Sequence, residues 1–178
     1  MSLRSALRAQ TADCHAAVDT LFGSFNLSRT QDYKAFLRAH ARVVPSVEDA
    51  LENGGIGRLL PDWPDRRRAH LLAADILKLD DRLPGLLPQP VLRCEAAVWG
   101  AAYVLEGSKL GGALLAKAVP DHLPSSYLSP QGLNGVMRLF MDRLDASKID
   151  DPSVAVAAAR DVFDLFLKAG QVELEAVP

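Results

Sequence analysis

The chain has 178 residues, 49% hydrophobic and 24% charged, with a formal net charge of −2. That length predicts one domain over residues 1–178, able to bury roughly 70% of its unfolded surface without staples. The near-neutral balance excludes broad electrostatic capture of nucleic acid or an anionic membrane. Cys14 and Cys94, the two cysteines, are too few for a disulfide framework or a thiolate zinc site, and fit a reducing cytoplasm. Alanine (26) and leucine (28) dominate, while isoleucine and threonine supply 3 residues each. Strong helix formers therefore outweigh β-branched residues, and an all-α fold is expected. No apolar segment follows the N-terminal arginines, so no signal peptide is read. The longest charge-free apolar run, residues 96–105, is about half of the ~20 residues that span a bilayer.

The first predicted helix covers residues 3–22, with Leu3, Leu7, Cys14, Val18 and Leu21 on one stripe and Gly23 as its stop. A second starts at 28–30, where Ser28 and Gln31 have the capping-box spacing, and ends at Asn53-Gly54-Gly55. Pro45 lies inside its pattern and predicts a kink. A third covers 65–79, and the proline-rich stretch 80–90 is a connection. The fourth starts near Val91, runs apolar to Leu105, is expected to kink through 107–112 and resumes over 113–119. Ser129-Pro130 predicts the start of the next helix, carrying Leu133, Val136, Met137, Phe140, Met141 and Leu144 to about residue 144. The last runs from Asp151-Pro152 to near Gly170. These elements predict a bundle of six to seven helices with no repeat and no internal linker.

Several chemistries are missing from the sequence. None of His15, His40, His70 and His122 follows a Glu or Asp by three residues, so the di-iron bundle motif is absent. There is no His-Glu-x-x-His, no phosphate-binding glycine motif and no Gly-x-Ser-x-Gly. Two features stand out. His15 lies one position beyond the apolar stripe, with Arg8 seven residues before it and Phe22 seven after. Residues seven apart fall within roughly 20° around a helix. Either His15 is a boundary histidine with local hydrogen bonds, or it is a ligand. Gly100, Gly107 and Gly111 share another helix face, which Gly112 widens. Each interior glycine costs about 0.5–1 kcal/mol relative to alanine. That cost points either to close helix packing or to a large flat ligand against the backbone. An imidazole on one helix and a bare backbone on another would hold a planar cofactor with an axial ligand, and haem is the obvious candidate.

The sequence resembles the haem oxygenases, in particular the bacterial type associated with bacteriophytochromes. The stretch Leu7-Arg8-Ala9-Gln10-Thr11-Ala12-Asp13-Cys14-His15, with Asp19 four residues on, is similar to the family's proximal helix. The stretch Tyr103-Val104-Leu105-Glu106-Gly107-Ser108-Lys109-Leu110-Gly111-Gly112 is similar to its distal helix. Segments 33–38 and 48–51 fit the same pattern. The resemblance implies a haem-oxygenase-like bundle that cleaves haem b with O₂ and reducing electrons to biliverdin, CO and ferrous iron. It implies His15 as the iron ligand and Gly107, Ser108, Gly111 and Gly112 as the catalytic distal wall. Arg8 and Arg138 become the partners of the haem propionates; for Arg138 a solvated face, shared with Asn134 and Asp142, is the other reading. Ser108 stands where the animal enzymes carry a distal aspartate, Lys109 where a small hydroxyl residue is expected, and Asn134 where a lysine is expected. The implied partners are an electron donor such as ferredoxin or a flavin reductase, and a bacteriophytochrome pathway. The alternative is a haem- or tetrapyrrole-binding sensor of the same fold without turnover.

Overall fold

The computed structural model describes residues 2–129 and 133–177. Among them are ten α-helical segments, one short 3₁₀ turn at Ala116–Ala118 and no strand: α1 Leu3–Gln10, α2 Ala12–Phe22, α3 Thr30–Ala41, α4 Val44–Asn53, α5 Ile56–Leu59, α6 Trp63–Arg66, α7 Ala69–Lys78, α8 Glu95–Leu115, α9 Leu133–Asp145 and α10 Ser153–Glu175. The expected all-α bundle is present. Its helices are more numerous than the six to seven expected, because three predicted helices are each divided in two or more.

Each division has a local cause. Residues 3–22 form two helices because buried Thr11 leaves helical geometry (φ −123°, ψ 9°). Its hydroxyl and its amide both donate to the Leu7 carbonyl, at 2.7 and 3.1 Å. A threonine hydroxyl that bonds back in this way competes with the helical ladder. The second predicted helix stops at Ala41 and restarts at Val44, with Pro45 in the first turn of α4. Proline has no N–H to give the Ala41 carbonyl, and its ring crowds that carbonyl. The capping box is replaced. Ser28 bonds to Asn26, and Asp32 accepts the Asn26 amide at 3.0 Å.

Helix α8 begins at Glu95 rather than Val91, after an extended Cys94, and is unbroken through 107–112. The predicted helix start at Pro130 falls outside the described residues. Helix α10 continues past Gly170 because that glycine faces a neighbour instead of ending the helix. A Cβ there would come within 2.8 Å of Leu21 and 3.1 Å of Phe22.

Helix α10 is the axis of the bundle and packs on α8, α3, α2 and α1, while α8 also meets α4 and α9. One continuous apolar cluster runs through all of them. The connection after α7 is tied to this core. Leu87 donates to the Arg42 carbonyl at 2.8 Å, Ser46 donates to the Leu87 carbonyl at 2.7 Å, and Asp81 pairs with Arg38. Arg38 and Arg42 then share Glu173 at 2.8 and 2.7 Å, which locks α3 to the end of α10. Glu48, itself buried, accepts the amides of Arg68 and Ala69 at 2.7 and 3.2 Å and caps α7.

His40 sits in the aromatic part of the core, with ring centres 4.3 Å from Phe36, 4.8 Å from Phe22 and 5.5 Å from Tyr127 and Phe166. Burial pushes its imidazole from the ordinary 6.5 down to about 4; its 2.9 Å bond to the Phe36 carbonyl opposes this, and the Arg68 charge adds to it. Between those values the unfolded chain takes up a proton that the folded chain refuses, so acid removes stability. This group alone is expected to cost about 2 kcal/mol between pH 7 and pH 5. Urea unfolding at both values checks it. His40→Phe should shrink the pH 7 to pH 5 difference by that amount, and an unchanged difference would refute the assignment.

Candidate active site

The two sequence features occupy α2 and α8. His15 lies on the exposed side of α2, its side chain 63% accessible. Its Nδ1 is 2.9 Å from Asp19 Oδ2, one helical turn on, and its ring stands edge-on to Phe163 of α10 at 6.1 Å. Donation from Nδ1–H to the carboxylate fixes the tautomer and leaves the Nε2 lone pair free. This is the arrangement in which a carboxylate orients a metal-binding imidazole. Asp19, whose role spacing does not reveal, is thus the acceptor that aims His15.

The glycine face of α8 divides in two. At Gly100 a Cβ would overlap the carbonyl oxygen of Ala155 and approach its carbonyl carbon to 2.7 Å, so this glycine exists for packing against α10. At Gly107 and Gly111 a Cβ would meet nothing within 4 Å. Those two leave bare backbone facing open space. Tyr103, one turn before Gly107 on the same face, is half-buried. Burial pushes its phenol up, while the charges of Arg8 and Arg4 pull the other way. Arg8, exposed on α1, therefore lies close enough to act on the glycine-bearing face of α8.

Ser108 and Gly112 belong to the next face, about 100° round the helix. Gly112 is buried, with space for a Cβ limited by Leu128 at 3.2 Å. The Ser108 hydroxyl donates to the Leu105 carbonyl at 2.7 Å and accepts from Arg68 Nη2 at 2.6 Å. Its proton is committed within the helix. Arg138 is exposed on α9 and makes no ion pair among the described residues. The structure thus pairs His15 with Asp19 and brings the charge of Arg8 within reach of Tyr103. It sets Ser108 and Gly112 toward residues 126–128, and leaves Arg138 on the surface.

Sequence reasoning missed three residues. Arg68 holds Ser108 from 40 residues away and lies over the Tyr127 ring, 4.7 Å from its centre. Glu106, 1% exposed, joins Arg66 Nη1 at 2.7 Å and Lys109 Nζ at 2.6 Å. Lys109 is thereby explained as the partner of a buried carboxylate. The signal for Glu106 was its place in an otherwise apolar run; Arg68 had none.

With this geometry in view, the chain can be set beside known proteins. No family model matches it. Over 92 residues, 52% of the chain, it is 34% identical to a heme oxygenase of Xanthomonas campestris pv. campestris (strain 8004), and the match spans only 55% of that protein. The solved heme oxygenase of Neisseria meningitidis, in NO- and CO-bound forms, superposes with a TM-score of 0.85, covering 98% of this chain and 93% of that one at 20% identity. The heme oxygenase of Leptospira interrogans superposes at 0.75, covering 97% and 100% at 21% identity.

The chain has the haem oxygenase fold. The resemblance read from the proximal and distal motifs is borne out by a relative of that name and by structures of that fold. No helix among the described residues is long and apolar enough to cross a membrane. The residues also fit the group that the haem oxygenase fold implies. A flat macrocycle needs one axial donor and a surface without side chains. His15 offers a free Nε2, and Gly107 and Gly111 offer open backbone.

Proposed function

We propose that the chain is a haem oxygenase of the bacterial, bacteriophytochrome-associated type, which cleaves haem b to biliverdin, CO and ferrous iron. The observation that carries this reading is the His15–Asp19 pair, an exposed imidazole whose outer nitrogen is free and whose inner nitrogen is held at 2.9 Å. Haem, when bound, supplies an iron that activates O₂ close to the ring's own edge. His15 holds that iron, and Asp19 keeps the imidazole in the required tautomer. Gly107 and Gly111 leave room on the opposite side.

The Ser108 hydroxyl directs its O–H to the Leu105 carbonyl, so proton delivery runs through ordered water rather than from this hydroxyl. Arg8 and Arg138, permanently charged forks, bind the propionates and fix which bridge of a nearly symmetric ring is cut. Electrons come from a ferredoxin or a flavin reductase. A reducing cytoplasm suits Cys14 and Cys94, both of which are free thiols.

The test uses purified chain with ferric haem. A Soret band is expected to form and then to fade into biliverdin when reductant and O₂ are supplied. His15→Ala should lose the axial bond and turnover while far-UV circular dichroism stays unchanged. Arg138→Ala and Arg8→Ala should shift the biliverdin isomer mixture on chromatography more than they slow its formation. A band that persists under turnover conditions would mean a sensor, and normal turnover in His15→Ala would refute the ligand assignment.

A further inference from the structure

Beside the Ser108–Gly112 face of α8 lies a cleft of about 130 Å³, open to solvent and lined among others by Asp65, Arg67, Arg68, Lys109, Ser126 and Tyr127. We propose that this cleft is a binding site for a phosphate group, with Arg68 at its centre. The haem reading assigns the cleft no ligand, although Arg68 also holds Ser108. Arg68 is already fixed on three sides. Its backbone amide donates to buried Glu48 at 2.7 Å, its guanidinium lies 4.7 Å from the centre of the Tyr127 ring, and its Nη2 donates to the Leu105 carbonyl at 3.2 Å and to Ser108 at 2.6 Å. Its Nε and Nη1 carry three more N–H groups, which bond to nothing among the described residues and are not walled off from solvent.

The neighbouring cations differ from it. Arg66 is held by Asp62 and Glu106, Lys109 by Glu106, and Arg67 by Glu48 and Glu52. Arg68 has no carboxylate within ion-pair distance among the described residues, although Glu48 lies near enough to feel its charge. The engaged carboxylates satisfy the other cations, and Asp65 is the acidic residue in the lining. Ser126 and Tyr127 also line the cleft, and their hydroxyls make no hydrogen bond among the described residues. Burial holds Lys109 below its ordinary range; Glu106 beside it opposes this, and the charges of Arg68 and Arg66 add to it. Donors arriving from several directions suit a tetrahedral dianion better than a planar carboxylate. A side chain held in advance also loses little freedom when the anion binds.

The probe is inorganic phosphate, titrated into the purified full chain by calorimetry and followed by thermal unfolding, with sodium chloride at matched ionic strength and sodium acetate as comparisons. Wild-type chain is expected to bind phosphate saturably and more tightly than acetate. Arg68→Gln should weaken binding at least tenfold, and Arg93→Gln, on an exposed loop, should leave it unchanged. If Arg68→Gln fails to fold, Arg68→Lys and Ser126→Ala carry the test, each weakening phosphate several-fold. No saturable response beyond chloride, equal affinity for acetate, or binding indifferent to the cleft variants overturns the proposal.

Discussion

Glu106→Ala is expected to remove about 3–5 kcal/mol of folding stability, because it leaves half-buried Lys109 without its anion and enclosed Arg66 with Asp62 alone. Glu106 and Arg66 are both almost fully enclosed, and Lys109 reaches the same carboxylate. Arg66 also donates to Asp62 and to the Val136 carbonyl, so the pair joins α6, α8 and α9. Chemical denaturation at pH 7 measures the loss. The comparison is Arg4→Ala, which breaks the Arg4–Asp145 pair at 3.2 Å. Its partners are 49% and 40% accessible, and an exposed pair of this kind contributes about 0–1 kcal/mol. The triple variant Glu106→Leu/Arg66→Met/Lys109→Met should recover most of the loss if its cause is uncompensated charge. A Glu106→Ala loss no larger than that of Arg4→Ala would mean that water enters the site and screens it.

The glycines of α8 should respond in opposite directions. Gly100→Ala forces a methyl group into the backbone of Ala155, whose Cα and carbonyl carbon would lie at 2.9 and 2.7 Å. Backbone cannot rotate away as a side chain can, so α8 and α10 must separate. Overpacking typically costs 1–3 kcal/mol, and a clash with backbone places Gly100→Ala at about 3 kcal/mol or more. Gly107→Ala and Gly111→Ala meet empty space and should each stabilise the haem-free chain by about 0.5–1 kcal/mol through helix propensity. Thermal unfolding of the three variants side by side decides the matter. Destabilisation by Gly107→Ala or Gly111→Ala would mean that these glycines, too, serve packing.

That contrast marks where periodicity stops being informative. Gly100, Gly107 and Gly111 look alike in the sequence, since spacings of seven and four place all three on one face. Packing and ligand room were equally good explanations for each. Only the position of Ala155 separates them, because a glycine's purpose depends on what stands opposite. Gly170 teaches the same lesson. Glycine after an apolar stripe reads as a helix end, but here it admits Leu21 and Phe22 and the helix continues.

Local rules served well where the cause is local. Of the first apolar stripe Leu3, Leu7 and Cys14 are buried and Val18 and Leu21 half-buried; on α9 Met137, Phe140 and Leu144 are buried and Val136 and Met141 half-buried. Pro45 interrupts its helix because its missing N–H acts within one turn. His15 and Asp19 are one turn apart, but spacing left open whether Asp19 accepts a hydrogen bond from His15, and the fold decided it.

By itself, then, the sequence determined the all-α class, the faces of the helices and the pair of stretches that resemble the haem oxygenases, because helical periodicity and side-chain identity are properties of neighbouring residues. The tertiary structure decided which glycines touch a helix and which face space, that the Ser108 hydroxyl already donates within its helix, and that Arg68 stands behind it. Those contacts join residues far apart along the chain, as Arg68 and Ser108 are by 40 positions, and no local pattern records which distant backbone will be brought against which side chain.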